Sequence, residues 1–145
     1  MSGIPGCGKS TYAKKLAQEI DAEIVCPDTL RKEVTGSESD MSRDGYIWGS
    51  LVEERIKLIV LIRDKSVIFD ATQINRKARK SITYIARQLK NIDLECHYFE
   101  PDVKVAKFQN LKRDRKVPEN IIDSFATKWE APSLDEGFSV LKKLN

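Results

Sequence analysis

The residues best suited to chemistry stand near the start of the chain, in the stretch Gly3-Ile4-Pro5-Gly6-Cys7-Gly8-Lys9-Ser10. This stretch fits the phosphate-binding loop pattern G-x-x-x-x-G-K-[ST] at every fixed position. Its glycines let the backbone bend tightly, so that successive N–H groups point at one anion. Lys9 supplies positive charge to the β- and γ-phosphates of a nucleotide, and the Ser10 hydroxyl is placed to bind Mg²⁺. The pattern therefore predicts binding of ATP and Mg²⁺.

A helix is predicted directly after this loop, over residues 10–20, because apolar side chains recur there at helical spacing. Bound phosphates would then meet a helix N-terminus, where the dipole and the free N–H groups favour negative charge. A glycine-rich turn with a chance lysine is the alternative interpretation, but the loop and the following helix agree. We expect the nucleotide to be contacted by Gly3, Pro5, Gly6, Cys7, Gly8, Lys9, Ser10 and Thr11.

An acid and an arginine follow the next predicted strand, which covers residues 22–26. Arg31 lies one helical turn after Asp28 and on the same helix face. In such a pair the carboxylate of Asp28 can take a hydroxyl proton as a general base, and Arg31 can bind a nearby phosphate. The residues alone leave a second interpretation open, in which Asp28 only caps its helix.

A second acid ends the apolar run from Ser66 to Asp70, which is typical of a buried parallel strand with a functional carboxyl end. Asp70 is placed to hold Mg²⁺ through water or to accept a hydrogen bond from Ser10. A strand-end turn residue is the alternative. Thr72 and Gln73 come next and are placed to line the side of the phosphoryl acceptor.

Two basic segments remain open between a functional and a bland interpretation. The segment 110–117 lies between two predicted helices. If it forms a lid that closes over ATP, Arg113 or Arg115 would stabilise charge on the ATP phosphates. The alternative is that the segment is an exposed charged turn. A second basic group lies at the start of the helix predicted over 75–90 and consists of Arg76, Lys77, Arg79 and Lys80. It either attracts a polyanion or forms a solvated face.

Strands and helices alternate along the sequence, which predicts a three-layer α/β/α fold with a mostly parallel sheet in one domain, 1–145. Ligands of such sheets bind beyond the carboxyl ends of the strands, where the loop, Asp28 and Asp70 all fall. The strand that normally precedes a phosphate-binding loop is missing, since only Met1 and Ser2 precede it. We expect the natural protein to carry about 6–8 further apolar residues there.

The predicted elements follow from hydrophobic spacing and from capping residues. Helices are predicted over residues 28–35, 46–64, 75–90, 102–113 and 118–129, with Asp28, Asn75 and Asp102 as caps and Pro118 in a first turn. In the long helix, one stripe is predicted at Ile47, Leu51, Arg55, Leu58 and Ile62, and Ile59 and Leu61 widen it. A further strand is predicted over 94–99. The tail 138–144 is predicted to be a last strand, with a short helix as the alternative.

Composition sets broad limits on function. The 145 residues carry a net charge of +3, which permits nucleic acid as a partner without requiring it. The three cysteines are scattered, which argues against a disulfide framework or a zinc site and favours a reducing cytoplasm. No apolar run is long enough to span a membrane.

The chain resembles the bacteriophage and bacterial polynucleotide 5′-kinase domains, within the small P-loop kinases. The resemblance rests on matches in the same order: GIPGCGKST, the PDTLR stretch, IFDATQIN, and NLKR before Val117-Pro118. It implies that Asp28 is the general base on a 5′-hydroxyl and that Arg31 holds the acceptor's phosphate. It also implies that Arg113 contacts the ATP phosphates and that Asp70 is the acid near the metal.

The sequence departs from the family in three respects. The first strand is not part of the given 145 residues, nor are the phosphatase or ligase domains often fused to such kinases, and Gln73 stands where relatives often have asparagine. The leading prediction is ATP- and Mg²⁺-dependent phosphorylation of the 5′-hydroxyl end of single-stranded DNA or RNA. A related kinase for a nucleoside, a sugar-nucleotide or an antibiotic is one alternative, and a non-catalytic ATP-binding module is another.

Overall fold

The computed structural model describes residues 1–145, and the chain falls into two compact units. Unit 1 comprises residues 1–11 and 72–145, and unit 2 comprises residues 12–71. No helix combines the length and the apolar character needed to cross a membrane. The helices are α1 Lys9–Glu19, α2 Pro27–Thr35, α3 Asp44–Tyr46, α4 Val52–Lys57, α5 Arg76–Gln88, α6 Val103–Leu111 and α7 Glu119–Thr127. The strands are β1 Glu23–Val25, β2 Val67–Phe69, β3 Glu95–Tyr98 and β4 Val140–Lys143.

Unit 2 contains the parallel pair β1–β2, in which Glu23 lies opposite Val67 and Val25 opposite Phe69. The ladder continues one residue further, where the Asp70 N–H donates to the Val25 carbonyl at 2.9 Å. β2 is apolar and buries Ile68 and Phe69, as is typical of a parallel strand, whereas β1 buries Val25 but leaves Ile24 exposed. The pairing confirms both predicted strands and places Asp70 directly at the carboxyl end of β2.

The long helix predicted over residues 46–64 is present, but two π-helical turns interrupt it, Ile47–Leu51 and Leu58–Ile62. A π turn bonds residue i to residue i+5, so it shifts the buried face by about one position. The predicted stripe is therefore confirmed at Ile47 and Ile59 and wrong at Leu58, Leu61 and Ile62. The buried residues are Ile47, Val52, Ile56 and Ile59, whereas Leu58, Leu61 and Ile62 are exposed.

Unit 1 contains the parallel pair β3–β4, which confirms the strand predicted for the tail. Ser2 joins this pair through a single parallel bridge to Tyr98. Two helix starts are also confirmed, because the side chain of Asn75 accepts from Ala78 N and that of Asp102 accepts from Val105 N. The core of the unit is formed by Ile4, Ile74, Ala106 and Ile122, with Val117, Phe125 and Trp129 packed against it.

Two capping predictions are wrong. The N-cap of α2 is Cys26, which makes no capping hydrogen bond through its side chain, and Asp28 lies inside the first turn. Pro27 takes the first helical position, where a missing N–H costs nothing, so the cap lies at Cys26 instead of Asp28. Pro118 likewise precedes α7 as its N-cap instead of lying in the first turn.

Candidate active site

The phosphate-binding loop has the backbone conformation that its sequence predicts. Gly3, Gly6 and Gly8 have φ values of +151°, +81° and +96°, a region that side-chain-bearing residues rarely adopt. Alternation of such residues turns successive N–H groups toward one side of the loop, as in an anion-binding nest. Ser10 and Thr11 are exposed in the first turn of α1.

The lysine of the loop is held against the loop's own backbone. Lys9 is only 8% exposed, and its Nζ donates to the Ile4 carbonyl at 2.8 Å and lies 3.6 Å from Cys7 Sγ. The ammonium group is therefore fixed beside the nest, where it adds a full positive charge to the partial charges of the N–H groups. This is the donor set that a polyphosphate requires.

Backbone packing fixes the loop in place. Ile4 is fully buried in the core of unit 1, and a Cβ built on Gly6 would lie 2.4 Å from the Ala106 carbonyl oxygen. The backbone of α6 thus lies directly against Gly6. In the sequence motif, a glycine at this position lets a phosphate approach the backbone closely. Within the protein, however, Gly6 contacts the backbone of α6.

A hydrogen-bonded cluster lies beneath the loop. Ser2 N donates to the His97 carbonyl at 2.9 Å, and Ser2 Oγ donates to the Gln73 carbonyl at 2.5 Å. The same carbonyl accepts from Arg79 Nη1 at 3.3 Å. Gln73 is itself buried, and its side-chain Oε1 has no hydrogen-bond partner. The segment that follows Asp70 is therefore tied to the residue that precedes the loop.

Arg79 is a buried structural residue. It is 1% exposed, and its Nε and Nη2 donate to the Glu136 carboxylate, each at 2.8 Å. Its Nη1 also donates to the Glu130 carbonyl at 2.8 Å. Arg76, at the start of the same helix, pairs with Asp135 at 2.7 Å. Neither interpretation offered for the basic group 76–80 describes Arg79, since it is neither solvated nor available to a polyanion.

The pKa of Glu136 reflects its opposed surroundings. Burial raises this pKa, but the hydrogen bonds from Arg79 and from the Ser133 N–H outweigh burial and hold it below its usual value. Ser133 and Glu136 also form a reciprocal capping box around a short 3₁₀ turn. These contacts assign a structural role to the segment 130–137.

The predicted acid and arginine meet in unit 2, in a cluster with a third residue. Arg31 Nη1 donates to Asp28 Oδ1 at 2.6 Å, while Arg31 Nε and Nη2 donate to the two oxygens of Asp44 at 2.7 and 3.2 Å. Nη1 also donates to the Glu38 carbonyl at 3.0 Å. Hydrogen bonding to Asp44 raises the pKa of Arg31, against the opposing effect of burial, and Asp28 adds to the rise.

Asp28 is the accessible member of that cluster. Its side chain is 50% exposed, whereas that of Arg31 is 6% exposed. Asp28 also lies in the first turn of α2, where the helix dipole favours a negative charge. A buried guanidinium thus supports a solvent-facing carboxylate, which is a suitable arrangement for accepting a proton from a bound hydroxyl.

Asp70, the second predicted acid, is buried at the carboxyl end of β2. Burial is the main cause of the raised pKa of the Cys26 thiol, and the negative charge of Asp70 adds to it. No group of three or more His, Cys, Asp and Glu side chains is arranged as a metal site. Mg²⁺ in a nucleotide complex takes only one or two protein ligands, with phosphates and waters supplying the rest, so this absence has no bearing on that ion.

The lid segment 110–117 is closed at its base by one side chain. Asn110 is buried, its Nδ2 donates to the Val117 carbonyl at 2.7 Å, and its Oδ1 accepts from Val117 N at 2.9 Å. Arg113 is exposed between these two ends, and Lys112 Nζ lies 4.4 Å from the centre of the Phe108 ring. Arg113 is therefore presented from a loop whose ends are clamped together.

Sequence reasoning missed three of the residues that build these arrangements. Asp44 follows a polar stretch and carries no local signal that links it to Arg31. Glu136 lies in a tail whose recurrent pattern is visible but whose partner, Arg79, is 57 residues away. Asn110 stands in a recognised stretch, but its contact with Val117 depends on the loop's folded path.

The comparisons with known proteins agree with the loop and the parallel strands. The family described as "AAA domain" matches residues 1–132, and the chain belongs to that family. A curated relative is the bifunctional polynucleotide phosphatase/kinase of Schizosaccharomyces pombe (strain 972 / ATCC 24843). It is 24% identical over 147 residues, which cover 98% of this chain and 32% of the relative, so the chain spans about a third of that protein's length.

A solved structure supports the fold independently. The crystal structure of a gluconokinase from Sinorhizobium meliloti 1021 matches with a TM-score of 0.64 at 17% sequence identity, over 99% of this chain and 78% of that chain. The predicted α/β fold of the P-loop kinases is therefore confirmed. The chain is a P-loop kinase-like nucleotide-binding domain, and the predicted kinship with polynucleotide kinases is confirmed by the relative from S. pombe.

Proposed function

We propose that this chain is an ATP- and Mg²⁺-dependent kinase that transfers the γ-phosphate to a 5′-hydroxyl end of single-stranded DNA or RNA. The observation that carries the proposal is the half-exposed carboxylate of Asp28, which a buried Arg31 supports at the start of α2. The relative from S. pombe, whose name includes polynucleotide kinase, supports the choice of acceptor. Residues 1–145 would act as one kinase domain with a lid at 110–117.

Each predicted site residue takes one role in this proposal. The glycines of the loop, with Pro5, Cys7 and Thr11, surround the polyphosphate, and Lys9 neutralises the β- and γ-phosphates. Asp28 accepts the proton of the acceptor hydroxyl while the hydroxyl oxygen attacks the γ-phosphorus of ATP. The bond between the γ-phosphorus and the oxygen that bridges it to the β-phosphate breaks, and ADP is released. Arg113 stabilises the charge on the transferred group from the lid.

Mg²⁺ fits the donor set, and the hydroxyl of Ser10 and the carboxylate of Asp70 are the proposed ligands. When bound, the ion supplies charge neutralisation at the β- and γ-phosphates. Arg31 is proposed to hold the acceptor's phosphate, and four contacts already occupy its guanidinium. Since a guanidinium has five N–H donors, one N–H on Nη2 is left for that phosphate.

A small-molecule kinase is the second candidate, and the likeness in fold to a gluconokinase favours it. A fold does not choose the acceptor, because the acceptor site is made by side chains. The third possibility, an ATP-binding module without an acceptor, loses one of its supports, since Asp28 does not cap α2. The reducing cytoplasm remains part of the proposal, in agreement with free thiols at Cys7, Cys26 and Cys96.

The test is transfer of label from γ-labelled ATP to matched acceptors. The panel holds 5′-hydroxyl DNA and RNA oligonucleotides, the same oligonucleotides with a 5′-phosphate, free nucleosides and gluconate. We expect transfer only to 5′-hydroxyl ends, with KM for the oligonucleotide rising steeply between 50 and about 200 mM salt because counterions are released on binding. Transfer to gluconate or nucleosides with a flat salt dependence would contradict the polynucleotide proposal and favour the second candidate.

A further inference from the structure

We propose that Asp44 is a positioning residue of the acceptor site, and that it acts on Asp28 through Arg31. This inference rests on the proposed function, because it assigns Asp28 the role of general base. It adds a residue that neither the motif nor the resemblance identifies. All the residues in the argument belong to unit 2, so it depends only on contacts within that unit.

The geometry at Arg31 is that of a two-point grip. Nε donates to one oxygen of Asp44 at 2.7 Å, and Nη2 donates to the other at 3.2 Å. A bidentate pair of this kind fixes the plane of the guanidinium as well as its position. With that plane fixed, Nη1 points at Asp28 Oδ1, which it meets at 2.6 Å.

Burial shows which partner supports which. The side chains of Arg31, Asp44 and Asp28 are 6%, 30% and 50% exposed. The arginine is therefore the enclosed centre, Asp44 holds it from one side, and Asp28 is the end that faces solvent. Without Asp44, Arg31 would keep only Asp28 and the Glu38 carbonyl as partners, and its plane would no longer be set.

The chain segment that delivers Asp44 is ordered by its own contacts. Asp40 caps the 3₁₀ turn Met41–Arg43 by accepting from Ser42 N at 2.9 Å, and Asp44 begins α3 directly after this turn. Thr35 Oγ1 accepts from the Ser37 N–H at 3.2 Å, and its one proton has two carbonyl acceptors within reach, that of Arg31 at 2.8 Å and that of Ser37 at 2.9 Å. Asp44 thus reaches Arg31 from a loop that is tied back to α2.

A positioning role makes a specific kinetic prediction. Replacing Asp44 by Asn retains the size of the side chain but removes the charge and one acceptor, so the guanidinium plane is loosened. Because displacement of a catalytic group by about 1 Å can cost about 10²-fold in rate, we expect kcat to fall about 10- to 100-fold. KM for ATP should stay within about twofold, since the nucleotide is bound by the loop in unit 1.

The experiment is a double-mutant cycle of Asp28→Asn and Asp44→Asn, with transfer to the best acceptor of the panel as the readout. The rates are compared as kcat at saturating oligonucleotide, so that the proposed hold of Arg31 on the acceptor's phosphate does not limit them. If Asp44 acts through Asp28, the double variant is then no slower than Asp28→Asn alone. A purely structural role would instead make the two losses multiply, which would overturn the inference. If Asp28→Asn alone leaves transfer unchanged, the proposed function fails first, so the two failures are distinguishable.

Asp40→Asn is the matched control. It removes one negative charge from the same segment, it keeps a side chain that can cap the 3₁₀ turn, and Asp40 does not contact Arg31. We expect its kcat to stay within about twofold of the wild type. An equal loss of kcat in Asp40→Asn and Asp44→Asn would assign the effect to charge or loop order and would contradict the positioning role. Circular dichroism and urea unfolding identify any variant that fails to fold. Asp44→Glu keeps the negative charge, so its kcat should be higher than that of Asp44→Asn.

Discussion

The phosphate-binding loop and the acidic cluster around Arg31 are held in place by different forces. The loop is fixed by packing, since Ile4 is buried in a core and Gly6 lies against the backbone of α6. The cluster is fixed by charge, since Arg31 is oriented by Asp28 and Asp44. Packing depends little on salt or pH, whereas ion pairs respond to the loss of a single charge. The proposed nucleotide and acceptor functions should therefore fail in different ways.

The largest effect on stability is expected at Arg79, which forms a buried ion pair with Glu136. Arg79→Met would leave Glu136 buried without its partner, and breaking a buried pair typically costs about 3–5 kcal/mol in the free energy of unfolding. Arg76→Met is the matched control, because Arg76 is 46% exposed in its pair with Asp135. Urea unfolding should show a large loss for the first variant and a far smaller loss for the second. Equal losses would mean that burial does not decide the strength of these pairs.

The next effect is expected at Gly6 and tests packing directly. In Gly6→Ala the new Cβ would meet the Ala106 carbonyl, and positive φ adds strain, so we expect a loss of about 3 kcal/mol or more in the free energy of unfolding. Gly36→Ala isolates the strain term, because Gly36 has φ +84° but open space around its Cβ position. Its loss should be about 1 kcal/mol. If urea unfolding gave the same loss for both variants, the contact with α6 would not be what fixes the loop.

A smaller effect is expected in acid. Folding lowers the pKa of Glu136 below its ordinary value of 4.5, so its contribution to stability is complete above pH 4.5. That contribution is lost as the pH falls through the lower pKa of the folded state. Urea unfolding from pH 6 to about pH 3 should show this loss in the wild type and a shallower slope in Glu136→Gln. The same slope in both proteins would show that Glu136 does not carry the acid sensitivity.

The same contrast explains what the sequence could predict. The conformation of the loop, its helix, the capping by Asn75 and Asp102 and the individual strands depend on residues close in sequence, and these predictions are confirmed. The parallel pairing joins residues as distant as Glu23 and Val67, and its prediction follows from the alternation of strands and helices. The stripe predicted between Ile47 and Ile62 is wrong at Leu58, Leu61 and Ile62, because nothing in apolar spacing signals a π turn. Asp28 is not the cap of α2, because Pro27 already lies inside the helix, at its first position.

Contacts in the candidate site could be predicted only between residues that are close in sequence. The spacing of Asp28 and Arg31 by three residues indicated their contact. Asp44 lies 13 residues from Arg31 and Glu136 lies 57 residues from Arg79, so both contacts depend on the folded path of the chain. Long-range ion pairs have no local pattern, and an alternating or helical period cannot reveal them.

Nucleotide binding is proposed for the loop in unit 1 and proton removal for Asp28 in unit 2, and the variant Asp28→Asn separates the two. The measurement compares ATP affinity, by titration calorimetry, with the rate of labelled transfer to a 5′-hydroxyl oligonucleotide. We expect ATP affinity within about twofold of the wild type and a transfer rate lower by about 10²-fold or more, as for loss of a general base. Unchanged transfer, or parallel losses of ATP affinity and transfer, would contradict the account.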